Sequence, residues 1–400
     1  LGVSLVWRFF AMNKLKRMKA KLVTSILFGI LLSNVGKAQN DSTSFCAPLS
    51  CEVSYIGDVV GNFKGGIKRQ STYLGLANVH LSLNTQNAGW WRGGELHLNL
   101  ANTHGGMPSD DFIGDFQGVT NIEAGDRTFF QELWFCQSFG KLSASVGIKD
   151  MNAEFSVNEF GGTFINSSFA LHSTFTDNIS ASIFPNTGLG GVLSYSFDST
   201  HTARLGVFDG DPGFMTIHPA NFKSPFGGND GVMAIGEYTY NKGIALDETG
   251  SYKMGVYFHS HNSNEDVLNN RQSGHNYGFY FIGNQRFTSS FAGHRILDGF
   301  LQLSYSPVES NTNQFYGGVG LILRGLCSED CSDELGIAMA CAKFKGLHYS
   351  NEKIVELHYK CPICSHFYIQ PDIQYVINPS RFDVATPNAL VGILRVGIEI

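Results

Sequence analysis

The chain has 400 residues, among them 46 glycines, 32 phenylalanines and 15 tyrosines, with only 16% charged residues and a formal net charge of -6. The acidic balance argues against a nucleic-acid partner. Abundant glycine, aromatics and polar amides suit a barrel that is greasy outside and wet inside, and equally a secreted β-sandwich, so strand patterning has to decide between them.

The first segments address the chain rather than fold it. From Met12, the basic run Lys14, Lys16, Arg17, Lys19 and Lys21 precedes an apolar stretch from Leu22 to Leu32, followed by Gly36, Lys37 and Ala38. A basic n-region, a short apolar core and small residues at the −3 and −1 positions define a secretory signal peptide, too short to span a bilayer. The expected organisation is therefore an upstream translated segment at 1–11, a signal peptide at 12–38 and one barrel domain at 39–400. A retained membrane anchor is the alternative, and no stop-transfer pattern supports it.

Beyond residue 38 the sequence alternates. Leu96, Leu98 and Leu100 oppose Glu95, His97 and Asn99, while Tyr252, Met254, Val256 and Phe258 oppose Lys253, Gly255, Tyr257 and His259. Leu301, Leu303 and Tyr305 oppose Gln302, Ser304 and Ser306, and Val355, Leu357 and Tyr359 oppose Glu356, His358 and Lys360. Ile369, Ile373, Tyr375 and Ile377 oppose Gln370, Asp372 and Gln374. In the last twelve residues Leu390, Leu394, Val396, Ile398 and Ile400 share one side, with Arg395 and Glu399 on the other. Period two makes these half-buried strands with one face polar enough to demand water.

Several of the segments run to about 9–11 residues, the length of a tilted membrane strand. At roughly 22 residues per strand and connection, the chain beyond Ala38 holds about sixteen strands, the usual size of a barrel around an aqueous channel. No second apolar run approaches the length of a spanning helix. The fold expected is all-β, a transmembrane antiparallel barrel of the outer-membrane porin type. Loops fall where glycine, asparagine, aspartate and proline cluster; residues 209–231 are the longest expected loop and 259–275 another.

The wording of the segments adds a resemblance. In order along the chain stand Tyr55-Ile56-Gly57-Asp58 through Gly65-Gly66, Ala88-Gly89-Trp90-Trp91-Arg92-Gly93-Gly94-Glu95-Leu96, and Asn102-Thr103-His104-Gly105-Gly106. Then come Gln117-Gly118-Val119-Thr120-Asn121-Ile122-Glu123, Asn152-Ala153-Glu154-Phe155, Phe164-Ile165-Asn166-Ser167-Ser168, and Gly206-Val207-Phe208-Asp209-Gly210-Asp211-Pro212-Gly213. The tail adds Gln370-Pro371-Asp372-Ile373-Gln374-Tyr375, Asn378-Pro379 and Asn388-Ala389-Leu390. As an ordered set this resembles the carbohydrate-selective porin family, the OprB type. The resemblance implies a sixteen-stranded barrel in the outer membrane of a Gram-negative type bacterium, through which small carbohydrates such as glucose diffuse passively. Its partners would be those solutes, outer-membrane lipid and the barrel-insertion machinery; the chain would act as a monomer or homo-oligomer, with no cofactor and no catalysis. Family members tend to end on an aromatic residue, and Ile400 implies differently tuned insertion. A general nonspecific porin, a secreted soluble carbohydrate-binding β-protein and a plugged outer-membrane scaffold are the competing readings.

A sugar has hydroxyls all round and apolar C–H faces, so a selective constriction pairs charged hydrogen-bond partners with aromatic platforms. Arg92 and Glu95 beside Trp90 and Trp91 meet that description, as do Glu132 with Trp134, and Arg395 and Glu399 line the lumen on the last strand. The competing reading places Trp90 and Trp91 in the interfacial aromatic girdle and makes the charges ordinary wetted lumen.

Eight cysteines are present, and in an exported chain close pairs are first read as disulfides: Cys46 with Cys51, Cys327 with Cys331, and Cys361 with Cys364. The later two pairs are expected in short turns at one end of the barrel, while Cys136 and Cys341 read as buried strand thiols. Cys361-Pro362-Ile363-Cys364 also has the spacing of a redox pair, and with Cys327 and Cys331 offers four thiolates, but alternating strands on either side deny it the helix start that redox chemistry needs. Asp209, Asp211 and Asp230 read as turn formers rather than calcium ligands, and His259 and His261 are too sparse to define a metal site.

Overall fold

The computed structural model describes residues 47–213, 220–222, 231–242, 249–261, 274–291, 295–327 and 333–400. Residues 1–46, with the expected leader and Cys46, and Cys331 lie outside them. Sixteen strands follow one another in the order β1 (Leu49–Lys64), β2 (Ser71–Asn84), β3 (Gly94–Gly105), β4 (Arg127–Phe139), β5 (Leu142–Lys149), β6 (Gly188–Ser196), β7 (His201–Asp209) and β8 (Val232–Lys242). They continue as β9 (Gly250–His259), β10 (Asn276–Phe291), β11 (Arg295–Tyr305), β12 (Asn313–Arg324), β13 (Glu334–Phe344), β14 (Asn351–Cys364), β15 (Phe367–Ile377) and β16 (Ala389–Glu399). Each pairs antiparallel with its neighbours in sequence, and β16 closes on β1 with Arg395 opposite Asp58. Closure leaves no free sheet edge, which is what lets strands sit in lipid.

The alternation sets what faces out. Leu205, Met254, Val256, Ile337 and Leu394 lie on the outer wall and are largely exposed, whereas Lys253, Gln302, Glu356, Gln374 and Arg395, one residue out of phase, are buried on the inner side. An apolar outer belt against a polar inner face is the arrangement lipid outside and water inside require. A register irregularity in the β3–β4 pairing, between Asn99/Leu100 and the facing Glu132/Phe130, resets the phase of β4, so that Arg127, Phe129 and Gln131 share the inner wall with Glu132 and Trp134. Such a bulge re-aims side chains without breaking the sheet.

The longest connections, 106–126, 150–187, 210–231 and 260–275, all lie at one rim (the loop rim), opposite the rim where β1 starts and β16 ends (the turn rim). The longest is not 209–231, as the composition suggested, but the β5–β6 connection, 150–187. It carries short helical turns at Met151–Ala153, Gly161–Thr163, Ser167–Ala170 and Ser173–Thr176. Together with the β3–β4 connection, 106–126, it folds into the barrel.

That inward fold changes what the lumen is made of. Phe112, Ile113, Val119, Phe164, Ile165 and Phe169 from the two connections pack with wall residues Val60, Phe300, Tyr316, Val391 and Ile393. A second cluster joins Met151, Phe155, Phe175 and Ile179 to Phe208, Met233, Tyr257 and Tyr280. Each fully buried phenylalanine contributes about 1.5–3 kcal/mol relative to exposure. The inner face is therefore not uniformly wet; part of it is apolar and packs against the loops. The loops also bond to each other, with the Asn121 and Ser167 amides donating to the Ile165 and Gly118 carbonyls at 3.0 and 2.8 Å. Gly118 has φ +73°, and a Cβ there would fall 2.8 Å from Ser167 Oγ, so only glycine fits this contact.

Candidate functional site: the lumen constriction

Strand side chains grip the loop backbones. Glu352 on β14 accepts the amides of Phe116 (2.8 Å), Gln117 (3.0 Å) and Ser380 (2.8 Å). Glu356, four residues further along the same face of β14, accepts those of Ile165 (2.7 Å) and Asn166 (3.0 Å). On β8, Glu237 accepts the Ser156 amide at 2.7 Å and the Tyr280 hydroxyl at 2.8 Å. Amide donors aimed at a carboxylate compensate the water it has lost.

The β1–β16 seam provides the strongest anchor. Arg395 donates through Nε and Nη2 to the two carboxylate oxygens of Asp58, 2.8 Å each, and Nη2 also reaches Asn121 Oδ1 at 2.8 Å and Thr120 Oγ1 at 3.3 Å. Thr120 in turn donates to Asp58 Oδ2 at 2.6 Å. Asp58 is fully buried and Arg395 is 5% exposed. Arg395 does face the lumen, but as the residue that positions the β3–β4 connection. Glu399 shares its face and is exposed at the turn rim.

Between the two inward connections lies a cavity of about 520 Å³. Phe116, Gln117, Asn121 and Glu123 line it from one loop, and Asp150, Asn152, Asp177, Phe184 and Asn186 from the other. Carboxylates, amides and two ring faces thus converge on one space. Burial pushes Glu123 up to about 8, with the Asp115 charge adding to it, Asp177 up to about 7 and Asp150 up to about 6. Hydrogen bonds from Asn152 and Gln131 hold Asp150 lower than burial alone would.

A second polar space of about 430 Å³ lies on the other side of residues 149–154, between that segment and the wall from β2 to β6. It contains Glu132 and Trp134 with His97, Lys149 and Glu154. Trp134 Nε1 donates to Glu132 Oε1 at 3.1 Å, and Lys149 Nζ pairs with Glu154 at 2.5 Å. The indole is stacked on His97, with centroids 4.8 Å apart, and Lys149 Nζ lies 4.3 Å from its ring centre. The Trp134 ring is therefore already covered by His97 and Lys149.

Trp90, Trp91 and Arg92 are elsewhere. They occupy the β2–β3 connection at the turn rim, exposed and outside both spaces. Trp90 and Trp91 stack on each other at 6.0 Å, and Trp91 lies against Phe135 on the outer wall and donates from Nε1 to Gln137 Oε1 at 2.8 Å. A tryptophan pair at a barrel rim has the position of an interfacial girdle, not of a constriction. Glu95 lies on the inner face of β3 opposite Cys136, nearer that rim.

Cys361 and Cys364 carry free thiols at the end of β14, correcting the expected bridge. Three residues along an extended strand span about 10 Å, beyond the 4.4–6.8 Å between Cα atoms that a disulfide takes. Cys51 and Cys327 are also free and exposed, their expected partners Cys46 and Cys331 lying outside the described residues. Cys136 and Cys341 are half-buried strand thiols.

Asp58, Gln117, Asn121, Glu123, Asp150 and Asp177 were missed as site residues. The available signal was that Asp58, at 55–58 on β1, and Gln117, Asn121 and Glu123, at 117–123 in the otherwise unpatterned β3–β4 connection, stand within the polar stretches that carry the resemblance; Asp150 and Asp177 have no such signal.

A closed barrel with an apolar outer belt, its lumen narrowed by inward loops around polar spaces, is the architecture of an outer-membrane diffusion channel. The family model described as carbohydrate-selective porin, OprB family, matches residues 68–400, and the chain belongs to that family. It is thus an outer-membrane sugar channel rather than an enzyme. Among solved structures, the high-pH structure of OprB from Pseudomonas putida matches with a TM-score of 0.76 at 19% identity, over 88% of this chain and 94% of that one. In-vitro folded OmpT from Vibrio cholerae, in its trimer form, matches with a TM-score of 0.52 at 9% identity, over 88% and 99%. At these identities the likeness is one of fold. No curated protein matches the chain.

Proposed function

We propose that the cavity between the two inward connections is where the channel selects its solute, admitting small glucose-type sugars by facilitated diffusion without energy coupling. The observation that carries this reading is the meeting of acids, amides and ring faces in about 520 Å³, within the roughly 300–1,000 Å³ of small-molecule sites. Asn121, Asn152, Asn186 and the neighbouring carboxyls supply donors and acceptors for hydroxyls, and Phe116 and Phe184 supply surfaces for C–H faces. The Glu132–Lys149–Glu154 space forms a second station toward the turn rim. Arg395 acts through the loop it holds, and Trp90 and Trp91 anchor the barrel in the lipid interface.

In export, residues 12–38 act as the leader, the insertion machinery assembles the barrel, and the turn rim faces the periplasm, where short turns belong. The test is sugar block of single channels for Phe116→Ala. The ring packs edge-on against Phe344 at 4.6 Å and forms part of the cavity wall. A platform of this kind is worth about 0.5–1.5 kcal/mol, so glucose affinity should fall about two- to tenfold while the channel still opens. Unchanged affinity would remove this cavity from the selective path.

A further inference from the structure

The lumen wall carries another group of ionisable side chains that neither sugar station uses. Glu356 and His358 point inward from β14, two residues apart, and Asp372 on β15 stands directly opposite His358 in the antiparallel register. One ligand atom from each lies within 4.8 Å of the other two. All three are buried, Glu356 at 0%, His358 at 1% and Asp372 at 6% exposure. Phe164 of the inward β5–β6 connection covers them, its ring edge-on to the imidazole with centroids 4.5 Å apart.

Hydrogen bonding leaves this group unfinished. Glu356 accepts the Ile165 and Asn166 amides, and Asp372 Oδ1 accepts Gln374 Nε2 at 3.1 Å. Asp372 Oδ2 and both ring nitrogens of His358 have no hydrogen-bond partner. His358 Nδ1 stands 3.9 Å from Glu356 Oε1, too far for a hydrogen bond. An imidazole shut away from water with neither nitrogen hydrogen-bonded is costly, and so are two neighbouring carboxylates without a cation between them. Arg395, the arginine on β16, is committed to Asp58 through both of its carboxylate oxygens. A proton shared between Glu356 and Asp372 would relieve the carboxyls and leave the imidazole unsatisfied.

The wall is also shaped around the ring. A Cβ at Gly336 on β13 would fall 2.4 Å from His358 Cε1 and 2.9 Å from Phe164 Cζ, so the imidazole occupies the space of a missing side chain. One imidazole nitrogen and two carboxylate oxygens form a donor set that a divalent first-row ion takes, with water or a further oxygen completing the coordination.

We propose that Glu356, His358 and Asp372 form a structural site for a divalent transition-metal ion, zinc in the first instance, that pins the β5–β6 connection to the barrel wall. Ligands about 2.0–2.2 Å from one ion stand about 3.5 Å apart, so the three donor atoms draw inward on binding. The amides of Ile165 and Asn166 then serve as the outer bonds that orient Glu356. The proposal does not depend on where the sugar binds.

The test refolds the mature barrel with zinc after its thiols have been blocked with iodoacetamide, so that Cys51, Cys327, Cys361 and Cys364 do not compete. After dialysis, metal is counted by plasma mass spectrometry and melting is compared before and after chelation. About one zinc per barrel and a melting temperature that drops on chelation are expected. His358→Gln and Asp372→Asn should each lose the zinc and the chelator-sensitive part of the melting temperature. Zinc at background in the wild-type barrel, or equal zinc in both variants, would overturn the proposal. Should the variants not fold, cobalt loaded into the wild-type barrel decides: intense visible d–d bands support a protein site of low coordination number, and their absence refutes it.

Discussion

Replacing Arg395 separates barrel stability from channel selectivity. Arg395→Met removes the charge and the guanidinium fork while keeping most of the length, and leaves Asp58 buried with only Thr120 to satisfy it. Losing one partner of a buried ion pair costs about 3–5 kcal/mol, chiefly from the stranded charge. The variant also loses the bonds from Nη2 to Asn121 and Thr120, and hydrogen bonds to charged groups contribute about 1.5–3 kcal/mol each. Adding Asp58→Asn removes the stranded carboxylate, so the double variant should regain much of the stability without regaining the loop anchor. The assay pairs melting of the detergent-solubilised barrel with single-channel conductance under glucose titration. The single variant should melt earlier. Both should conduct more and bind glucose about tenfold more weakly, equivalent to about 1.4 kcal/mol. A double variant with wild-type conductance and wild-type glucose affinity would refute the claim that this pair holds the constriction in place.

Cation selectivity should rise between pH 5 and pH 9 as Asp150, Asp177 and Glu123 ionise near 6, 7 and 8. These folded-state values lie above the unfolded ones, so the folded barrel binds more protons in that window and its stability falls as pH rises through it. A reversal potential under a KCl gradient that stays flat across the range, or is unaltered by Glu123→Gln, would contradict the assignment. Trp90→Ala and Trp91→Ala should leave sugar block unchanged, whereas Glu132→Gln should weaken it; the opposite ranking in bilayer titrations would return the rim tryptophans to the pore. Cys361 and Cys364 should both be alkylated without reductant, and a peptide map showing a bridge between them would contradict the extended end of β14.

The barrel was legible because lipid and water impose opposite demands on successive residues. Each alternating segment singled out, from Leu96–Leu100 to Leu390–Ile400, keeps its apolar face outward, and a count of about sixteen strands follows once roughly 22 residues are given to each strand and connection. The inside was not legible for the same reason: period two reports only that a face is inward, not whether water or a loop meets it. The carboxylate of Glu352 meets the amide of Gln117, and that of Glu356 meets Ile165, across partners that nothing in the local sequence links. The bulge between Asn99 and Leu100 explains why Arg127 and Glu132 share a wall despite opposite parity. Trp90 and Trp91 looked like a platform because sugar sites and membrane girdles call for the same residues, and only the position of the β2–β3 connection separates the two. Cys361 and Cys364 were misjudged because a short spacing in sequence is a long one on an extended strand.

The most direct measurement is planar-bilayer conductance of the refolded mature barrel, titrated with glucose and a panel of other sugars. The account predicts stable channel steps that sugars block saturably. Stable steps indifferent to every sugar would contradict selection in the constriction, and correctly folded protein with no steps would contradict an open passage between the inward loops.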